Sequence, residues 1–531
     1  MGPSQGTNPS HVTISIDGQE LDDFSEGAIL EKVVVRQELN EHWWCEVVCR
    51  QTEDQRFPFE DALGKPLKAS TFDASGVENV AFTGFVLESQ LDYEVYGSYT
   101  IHLVGVTKSY KLDLTPRQGL YYEMSMADVT QKLVSDAGLS VDGALDSKPV
   151  PFNYVQHGET DFDFIKRMVD DAESWMRPTE NGIEVENEFQ PGAELQWRGE
   201  DDGLVSFRAR GRLSQPSMNG AHYDSNAMES RVYSEVKDDA PFYGSIGKLT
   251  EAVKSESADL PPGYIIQRSR KGTLDQYEDL LKKESRRSIG SAVTCSGVSR
   301  NLELLPGNEV EIQGVLDANG TYGVIKVIHT WNPDGYSNKF WCTPWKKYTN
   351  PKAPQVKPWF NVVPARVVDS KDEFGQAAVV IQFFWQENNH TAHVRMMTPH
   401  AGADRGFYFV PEIGDEVWVT FEDGDPERPR ILGCAWNGHD KAPTEDFWGG
   451  DVSPNDVKRI VTKSGHRIAI VDKDGKETIS LATPKHVKVM LTESSNETGG
   501  PTLSLHSDGD IVITAGGRIH LQSAFYSREV G

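Results

Sequence analysis

The chain has 531 residues, of which 38% are hydrophobic and 25% are charged, and these values exclude wholesale disorder. A chain of this length is too long for one hydrophobic core, so roughly three or four domains are expected. The formal net charge of −27 argues against nucleic acid, and against an anionic membrane surface, as the main partner.

Neither a membrane anchor nor a disulfide framework is predicted. No apolar run approaches the ~18 residues that a membrane-spanning helix needs. The opening residues MGPSQGTNPSHV lack the basic start and the apolar core of a secretory signal, so folding in the cytoplasm is expected. Cys45 and Cys49 lie on one face of a predicted strand. We interpret them as small apolar residues, because no second Cys/His pair has the spacing of metal ligands.

The first 194 residues predict a β domain followed by a small α/β insertion. Residues 1–10 are expected to be a flexible N-terminus. Residues 11–115 alternate between apolar and polar side chains, which predicts antiparallel strands. In residues 116–194, Ser125 and Thr160 each precede an aspartate by three positions, and this capping-box pattern predicts the starts of two helices.

A second β domain follows the insertion. Residues 195–347 return to strand-like alternation around one helix, which is expected to run from Thr273 to about Arg287. The next segment, residues 348–358, is rich in proline and lysine and is interpreted as a linker.

A small barrel is predicted for residues 359–438. Turn signals around Gly414 and Gly424 divide the last part of this segment into short β-type runs. Strands that alternate with Gly-rich turns are typical of the oligonucleotide/oligosaccharide-binding (OB) fold. The three predicted strands are Phe407–Val410, Glu416–Phe421 and Arg430–Ala435.

The last segment has the clearest period of two. A second linker, residues 439–459, leads into residues 460–523, where apolar side chains recur at alternate positions between turn signals. One copy of such a ladder cannot bury its apolar face, and its strand edges are open. Three copies wound about one axis would bury the face and pair the edges. The predicted trimer core is Ile468, Ile470, Ile479, Leu481, Val487, Val489, Leu503, Leu505, Ile511, Ile513, Ile519 and Leu521.

Three segments resemble the VgrG-type spike proteins of contractile injection systems and the related hub-spike proteins of phage baseplates. Residues 406–438 (GFYFVPEIGDEVWVTFEDGDPERPRILGCAWNG) resemble the family's barrel segment, and residues 152–175 (FNYVQHGETDFDFIKRMVDDAESW) resemble a segment of its hub. Residues 462–523 resemble its intertwined needle. The resemblance implies a mainly β fold with two hub β-barrel-like domains, the small α/β insertion, an OB-fold neck and a C-terminal trimeric β-helix needle that ends in a tip at residues 524–531.

The resemblance also implies a mechanical role and no enzymatic activity. The expected assembly is a homotrimer that seats on a hexameric inner-tube protein among baseplate proteins and pierces a target membrane when the sheath contracts, with effector cargo as a further partner. It would be made in the bacterial cytoplasm and delivered outside the cell or into a target cell. A PAAR-repeat tip protein is expected to contact Ile519, His520, Leu521, Gln522, Phe525 and Tyr526.

No catalytic, cofactor or metal site is predicted. The sequence has no G-x-S-x-G elbow and no Walker-type phosphate loop. The spacing of His390, His393 and His400 lacks the helical zinc pattern, and Gly475 stands too early for a calcium loop. Linker 439–459 is too short for a catalytic domain.

Two other functions stay open from the sequence. A cell-wall (peptidoglycan) hydrolase of a phage-like baseplate would use carboxylates in the hub, and the chain has 80 acidic residues from which such a pair could come. Turnover on peptidoglycan that a single Asp or Glu substitution abolishes would identify it. A carbohydrate-binding adhesin built of β domains would instead show saturable glycan binding, and it would need no tube partner.

Overall fold

The structure is a computed structural model, and it describes residues 11–20, 29–52, 59–72, 77–93, 98–143, 145, 147, 154–198, 203–224, 228–238, 241–265, 274–352, 354, 357–372, 375–386, 393–443, 453–493 and 499–522. The predicted N-terminal segment 1–10 and tip 524–531 lie outside these ranges. Two compact units make up the chain, Met1–Cys434 and Ala435–Gly531, and each is described by itself.

The first β module is a curled antiparallel sheet around an apolar core. Alternate residues of each strand point inward, as Val33 and Val35 do, because a strand places successive side chains on opposite faces. Asp17 and Gly18 both have positive φ and form a two-residue turn between the first two strands. The strands are β1 (Thr13–Ile16), β2 (Gln19–Glu20), β3 (Ile29–Glu38), β4 (Trp44–Thr52), β5 (Pro66–Phe72), β6 (Glu78–Tyr93) and β7 (Ser98–Val106), in the order β3-β4-β7-β6-β5-β1-β2.

The α/β insertion has the two predicted helices. The Ser125 hydroxyl accepts a hydrogen bond from the Asp128 amide, and the Asp128 carboxylate accepts one from the Ser125 amide, so the capping box is complete. Thr160 caps the second helix through the amide of Asp163. The elements are β8 (Arg117–Tyr121), α1 (Met126–Asp136), β9 (Ser140–Gly143), β10 (Tyr154–Glu159), α2 (Asp161–Asp171), β11 (Trp175–Pro178) and β12 (Gly182–Glu186).

The second β module closes almost into a barrel. Its strands follow the order β14-β18-β21-β20-β19-β13, and a bridge between Trp197 and Leu204 brings the two ends together. The strands are β13 (Gln190–Gln196), β14 (Leu204–Gly211), β18 (Val293–Ser299), β19 (Asn308–Gln313), β20 (Gly320–Asn332) and β21 (Gly335–Thr343). Inside lie the side chains of Leu195, Val310 and Phe340.

A small subdomain interrupts the second module. It holds a three-stranded sheet and two helices: β15 (Met218–Asp224), β16 (Glu229–Val236), α3 (Gly247–Ser257), β17 (Gly263–Ile265) and α4 (Leu274–Gly290). Helix α4 confirms the predicted helix, although its predicted cap Thr273 lies outside the described residues. Helix α3 and the small sheet are additions that the sequence patterns did not predict. Among the described residues, no helix combines the length and the apolar character that a membrane crossing requires.

The two β modules share one continuous ladder. Strand β3 pairs with β20 from Glu38↔Lys326 to Val33↔Trp331, so the modules are joined by main-chain hydrogen bonds as well as by side chains. His329 is buried at this joint, 2% exposed, where its Nε2 lies 3.3 Å from Gln37 Oε1. The amide nitrogen of Gln37 is held by the Ala81 carbonyl, so its oxygen faces the imidazole. A proton on Nε2 of His329 fits these contacts.

We expect the joint to weaken in mild acid. Burial lowers the pKa of His329 from its ordinary value of 6.5 to about 3, so the unfolded chain takes up a proton that the folded chain refuses. The stability that depends on neutral His329 is complete above pH 6.5 and is lost as the pH falls from 6.5 toward 3, by up to about 1.4 kcal/mol per pH unit. Urea midpoints measured for the native chain and for His329→Gln at a series of pH values should show a steeper acid loss for the native chain. Equal pH profiles would contradict the assignment.

The OB-type barrel is a five-stranded sheet in the order β24-β23-β22-β27-β28 around Trp359 and Phe421. Its elements are β22 (Val363–Asp369), β23 (Ala378–Phe383), β24 (Val394–Arg395), β27 (Glu416–Phe421) and β28 (Pro429–Cys434), with the separate hairpin β25 (Ala401–Gly402) and β26 (Arg405–Gly406). Gly424 has φ of 74°, and a Cβ there would stand 2.8 Å from the Phe360 ring, so the predicted turn requires glycine.

The prediction of a strand at Phe407–Val410 is wrong. This segment joins no ladder, although the Phe407 amide donates a single hydrogen bond to the His400 carbonyl. Aromatic residues favour strands only when a neighbouring strand receives them, and this segment finds none among the described residues. The other two predicted strands of the barrel are confirmed as β27 and β28.

The C-terminal unit contains a five-stranded antiparallel meander. Consecutive strands pair in the order β29 (Val457–Val461), β30 (Arg467–Val471), β31 (Thr478–Ala482), β32 (Lys488–Thr492) and β33 (Thr502–His506). Tight turns connect them, and Gly465 and Gly475 both adopt positive φ in these turns. Residues 507–522 are described but join no ladder, so an isolated chain ends its sheet at His506.

Candidate functional site

The meander of the C-terminal unit gathers most of the predicted core residues on one face. The register aligns Ile468 with Leu481 and then Val489, and a second row aligns Ile470 with Ile479. The first row continues to Ile460 at one end and to Leu505 at the other. The second row continues through Leu491 to Leu503. We call this surface the apolar face; it consists of Ile460, Ile468, Ile470, Ile479, Leu481, Val487, Val489, Leu491, Leu503 and Leu505.

The apolar face is open to solvent in the single chain. Ile470 is 40% exposed, Ile479 48% and Leu503 64%. The opposite face is better covered, and there Ala469, Val471 and Ser480 are only 3%, 2% and 1% exposed. A soluble protein rarely leaves a continuous row of Ile and Leu side chains exposed, so this face is the part of the described C-terminal unit that most needs a cover.

The remaining predicted needle and tip residues are also exposed. Four predicted core positions follow β33 and lie outside any ladder, with exposures from 49% to 80%: Ile511, Ile513, Ile519 and Leu521. Of the predicted tip contacts, Ile519, His520, Leu521 and Gln522 are exposed. Phe525 and Tyr526 lie outside the described residues. The structure thus leaves these side chains available, and their assigned contacts stay predictions.

A buried charge cluster fastens the OB-type barrel to the insertion. Arg167 of α2 binds Glu159 with two nitrogens, at 2.6 and 3.2 Å, and reaches Glu427 of the barrel at 3.4 Å. The Glu427 carboxylate also accepts a hydrogen bond from the Val155 amide. The side chains of all three charged residues are at most 8% exposed. The Arg167 guanidinium therefore pairs with two buried carboxylates, those of Glu159 and Glu427.

This charge imbalance decides the protonation of the cluster. Burial raises the pKa of Glu427 well above its ordinary value, against the opposing pull of Arg167. Burial would lower the pKa of Arg167, but the charges of Glu427 and Glu159 outweigh it and raise that pKa. Glu159 holds the two shorter contacts with Arg167, and Glu427 holds the longer one. No local sequence pattern marks the cluster, because Arg167 and Glu427 are 260 positions apart.

Aromatic stacking extends the same contact. The ring of His157 on β10 lies flat on Trp359, with centroids 3.9 Å apart and planes within 8°. Trp359 in turn stacks on Phe421 inside the barrel at 4.6 Å. Burial lowers the pKa of His157, although Glu159 opposes this effect, which favours the neutral ring that such stacking suits. The barrel and the insertion therefore share one packed core, which also includes Leu120.

The barrel exposes several aromatic side chains. The misassigned segment presents Phe407, Tyr408 and Phe409 at 53%, 79% and 55% exposure, and Phe360 and Phe384 are 68% and 61% exposed. Large aromatic side chains at a protein surface are typical of protein–protein contacts. The sequence did contain this signal, since Phe407-Tyr408-Phe409 stands out, but the run was interpreted as a strand.

A Ser–His–Asp arrangement occurs in the insertion region but lacks access. His42 Nδ1 lies 2.8 Å from the Ser109 hydroxyl, and its Nε2 lies 3.5 Å from Asp113. Burial raises the pKa of Asp113, but hydrogen bonds from His42 and Thr160 outweigh it and lower the pKa. Ser109 is fully buried at 0% exposure, so no substrate carbonyl can reach its hydroxyl. The arrangement ties elements together and offers no nucleophile.

Metal and thiol chemistry gain no support from the geometry. Within the described ranges, no group of three His, Cys, Asp or Glu side chains converges as a metal site would require. Cys45 and Cys49 are buried in the first module, and burial raises the pKa of Cys49 to about 12. They are core residues, in line with their interpretation as small apolar side chains. His390, one of the three histidines considered from the sequence, lies outside the described residues.

Two family models match the chain. The description "Phage tail baseplate hub (GPD)" covers residues 36–335, which span the insertion and most of both β modules. The description "Type VI secretion system/phage-baseplate injector OB domain" covers residues 363–436, which correspond to the OB-type barrel. The matched regions therefore follow the architecture of the first unit.

Curated relatives come from secretion systems. The type VI secretion system spike protein VgrG4b of Pseudomonas aeruginosa is 23% identical over 446 residues, which are 70% of this chain and 52% of the relative. A Vibrio cholerae protein named actin cross-linking toxin VgrG1 is 24% identical over 427 residues, covering 71% of this chain and 36% of the relative. This chain spans about half or less of the length of the curated relatives it matches.

Solved structures share the fold. An E. coli type VI secretion component, described as similar to the T4 bacteriophage tail proteins gp27 and gp5, has a TM-score of 0.54 at 14% identity and covers 80% of this chain and 99% of its own. A chain of the Francisella PdpA–VgrG complex in its lidded form has a TM-score of 0.60 at 10% identity, and the match covers 93% of this chain and 80% of that one. With more than half of its length matched by the hub model, this chain belongs to the phage tail baseplate hub (GPD) family and is a VgrG-like spike protein.

Proposed function

We propose that the chain is the structural spike of a contractile injection system and acts as a homotrimer. The observation that carries this proposal is the apolar face of the meander, an unbroken double row of Ile, Leu and Val side chains on a sheet with free edges. Three such faces meeting about an axis would leave water together, and the open strand edges would pair between chains.

The trimer would give the two β modules a platform role. Each chain contributes two β modules in one sheet, so three chains would present six, which suits a seat on a hexameric inner-tube ring. The OB-type barrels would form a neck, and the meander a short rigid needle. Contraction of the sheath would supply the energy, and the needle would pierce the target membrane by its stiffness.

The distal end would be covered by a PAAR-type tip protein. Ile519 and Leu521 are 49% and 80% exposed near the end of the described chain, where three copies would place a blunt apolar surface. Baseplate proteins and effector cargo are the other proposed partners. The apparatus would assemble in the bacterial cytoplasm and be delivered outside the cell or into a target cell. The proposed role involves no catalysis by the residues described here, and no cofactor.

The mass of the purified chain in solution tests the proposal. Light scattering should give three times the monomer mass of 59.1 kDa, and a truncation that ends at Asn437 should lose this mass or its resistance to SDS. The truncated chain retains the whole first unit, which contains the hub and the barrel. The folding of that unit can therefore be checked in the truncated chain itself. A well-folded monomer of the full chain at micromolar concentration would contradict the spike.

A further inference from the structure

A cavity of about 280 Å³ opens at one end of the second β module. It lies where the end of β14, the end of α4, the start of β18 and the end of β21 come together. Residues from the segment 345–351 also line it. The walls are largely apolar, and three cations stand among the lining residues. The walls include Ala292, Val293, Ile325 and Pro351, and the cations are Arg210, Arg212 and Lys347.

The positive charge of this cavity is not balanced within its own lining. None of the residues that line it is acidic, in a chain whose net charge is −27. Within the described part of the chain, Arg210, Arg212 and Lys347 form no ion pair, and Arg212 donates a hydrogen bond to the Ser291 hydroxyl at 3.2 Å. Arg287, by contrast, is bound to Asp170 at 2.9 Å. Unmatched cations at a concave surface favour an anionic ligand.

The C-terminal end of α4 does not reverse this preference. The last carbonyls of a helix carry partial negative charge, which would disfavour an anion at the cavity. Here the Arg287 carbonyl accepts a hydrogen bond from the Ser291 amide, and the Ile289 carbonyl accepts one from the Ala292 amide. These bonds partly satisfy the helix end, and the three full positive charges outweigh what is left.

A buried indole adds a hydrogen-bond donor to the wall. Trp345 is 2% exposed, and its Nε1 has no acceptor among the described residues. Phe242 packs edge-on to its ring at 6.1 Å, and Lys254 lies 5.5 Å above it, so the ring orientation is fixed. The Cδ1 edge, which adjoins Nε1, lies 4.0 Å from the position of a Cβ on Gly290, a residue of the cavity lining. An acceptor seated beside Gly290 would satisfy this donor.

We propose that this cavity binds the C-terminal residue of a partner polypeptide. An apolar last side chain would fill the cavity, and its free carboxylate would meet the cations and the indole N–H. The last residue of a polypeptide carries both an apolar side chain and a free carboxylate. This combination matches a cavity in which apolar walls lie next to cationic side chains. The volume lies just below the range of about 300–1,000 Å³ for small-molecule pockets, which suits one residue. The site goes beyond the proposed spike role and does not require the trimer.

Fluorescence anisotropy with short labelled peptides tests the site. The probes are fluorescein-labelled Gly-Ser-Gly-Ser peptides ending in Leu, Val or Phe, each with a free carboxylate or with an amidated C-terminus, titrated with the full chain. We expect at least one free-acid peptide to bind saturably, and its amide to bind at least about tenfold more weakly, which corresponds to about 1.4 kcal/mol. Binding of the acid should weaken as salt is added.

Matched variants separate the cavity from the rest of the strand. Arg210→Gln combined with Arg212→Gln should weaken binding at least about tenfold. Arg208→Gln is the control, because Arg208 lies on the same strand without lining the cavity, and it should bind like the native chain. Trp345→Phe keeps an aromatic ring but removes the N–H, so its binding should weaken by several-fold.

Four results would overturn the proposal. Two concern the peptides: the acid and the amide bind equally well, or none of the three acids saturates the chain up to about 1 mM. Two concern the variants: Arg208→Gln loses as much affinity as the double variant, or the double variant keeps the native affinity. Light scattering of the double variant covers one more alternative. A changed mass would assign these cations to a contact between subunits and would also overturn the peptide site.

Discussion

Lysine at Ile470 and Leu481 is expected to abolish assembly of the chain. Both side chains lie on the apolar face, at adjacent strands, and are 40% and 47% exposed in the single chain. In a trimer each change would place an ammonium group, without a carboxylate partner, in a dry interior, at a cost of about 3 kcal/mol or more per charge. Six such charges would meet about one axis. Light scattering should then report 59.1 kDa where the native chain gives three times that mass.

A turn residue provides the matched control for this substitution. Asp474 lies in the turn between β30 and β31 and is exposed, so Asp474→Lys introduces the same side chain off the apolar face. This variant should keep the native mass. If the Ile470→Lys/Leu481→Lys chain also keeps it, the apolar face is not the contact between copies, whatever the oligomeric state.

Removing the cation of the buried cluster is expected to have the second-largest effect. Arg167→Met removes the cation that pairs with two buried carboxylates, Glu159 and Glu427, which should cost about 3–5 kcal/mol of stability in the insertion and barrel. Because several domains unfold in this chain, the measurement is the shift of the urea midpoint followed by tryptophan fluorescence. The loss should shrink as the pH is lowered, since protonated carboxyls are easier to bury.

The two carboxylates of the cluster should behave differently. Burial raises the pKa of Glu427, so Glu427→Gln removes a charge that burial already disfavours, and the amide oxygen can still accept from Arg167 and Val155. We expect this change to cost about 1 kcal/mol or less. A loss as large as that of Arg167→Met would show that the Arg167–Glu427 ion pair, and not the charge balance of the three groups, carries the contact.

Much of the fold could be predicted because local patterns agreed with the final structure. The period of two in the last segment assigned Ile468, Ile470, Ile479 and Leu481 to one face, and the short turns left no other register. Ser125 and Thr160 marked helix starts because their hydroxyls satisfy amides that every helix leaves free. These signals are contained within a few residues, so one sequence suffices to interpret them.

Other elements escaped prediction for physical reasons. Helix α3 starts after Ile246, which adopts φ of 47° and offers no capping side chain, so packing alone sets its first turn. The segment at Phe407 has the composition of a strand but no neighbour to pair with. The Arg167 cluster joins residues from distant parts of the chain, and the cavity beside Trp345 depends on four elements that meet only after folding. Tertiary contacts decide all four cases.

The ladder between β3 and β20 gives the hub a mechanical property. Domains joined by a linker swing when they are loaded, but here the two modules are one sheet, paired from Glu38↔Lys326 to Val33↔Trp331. Antiparallel hydrogen bonds run perpendicular to the strands, so a thrust along the strand direction shears many of them at once. A thrust at one module therefore reaches the other without a hinge that could absorb it. Stiffness in this part of the protein is a property of the single chain and precedes any assembly.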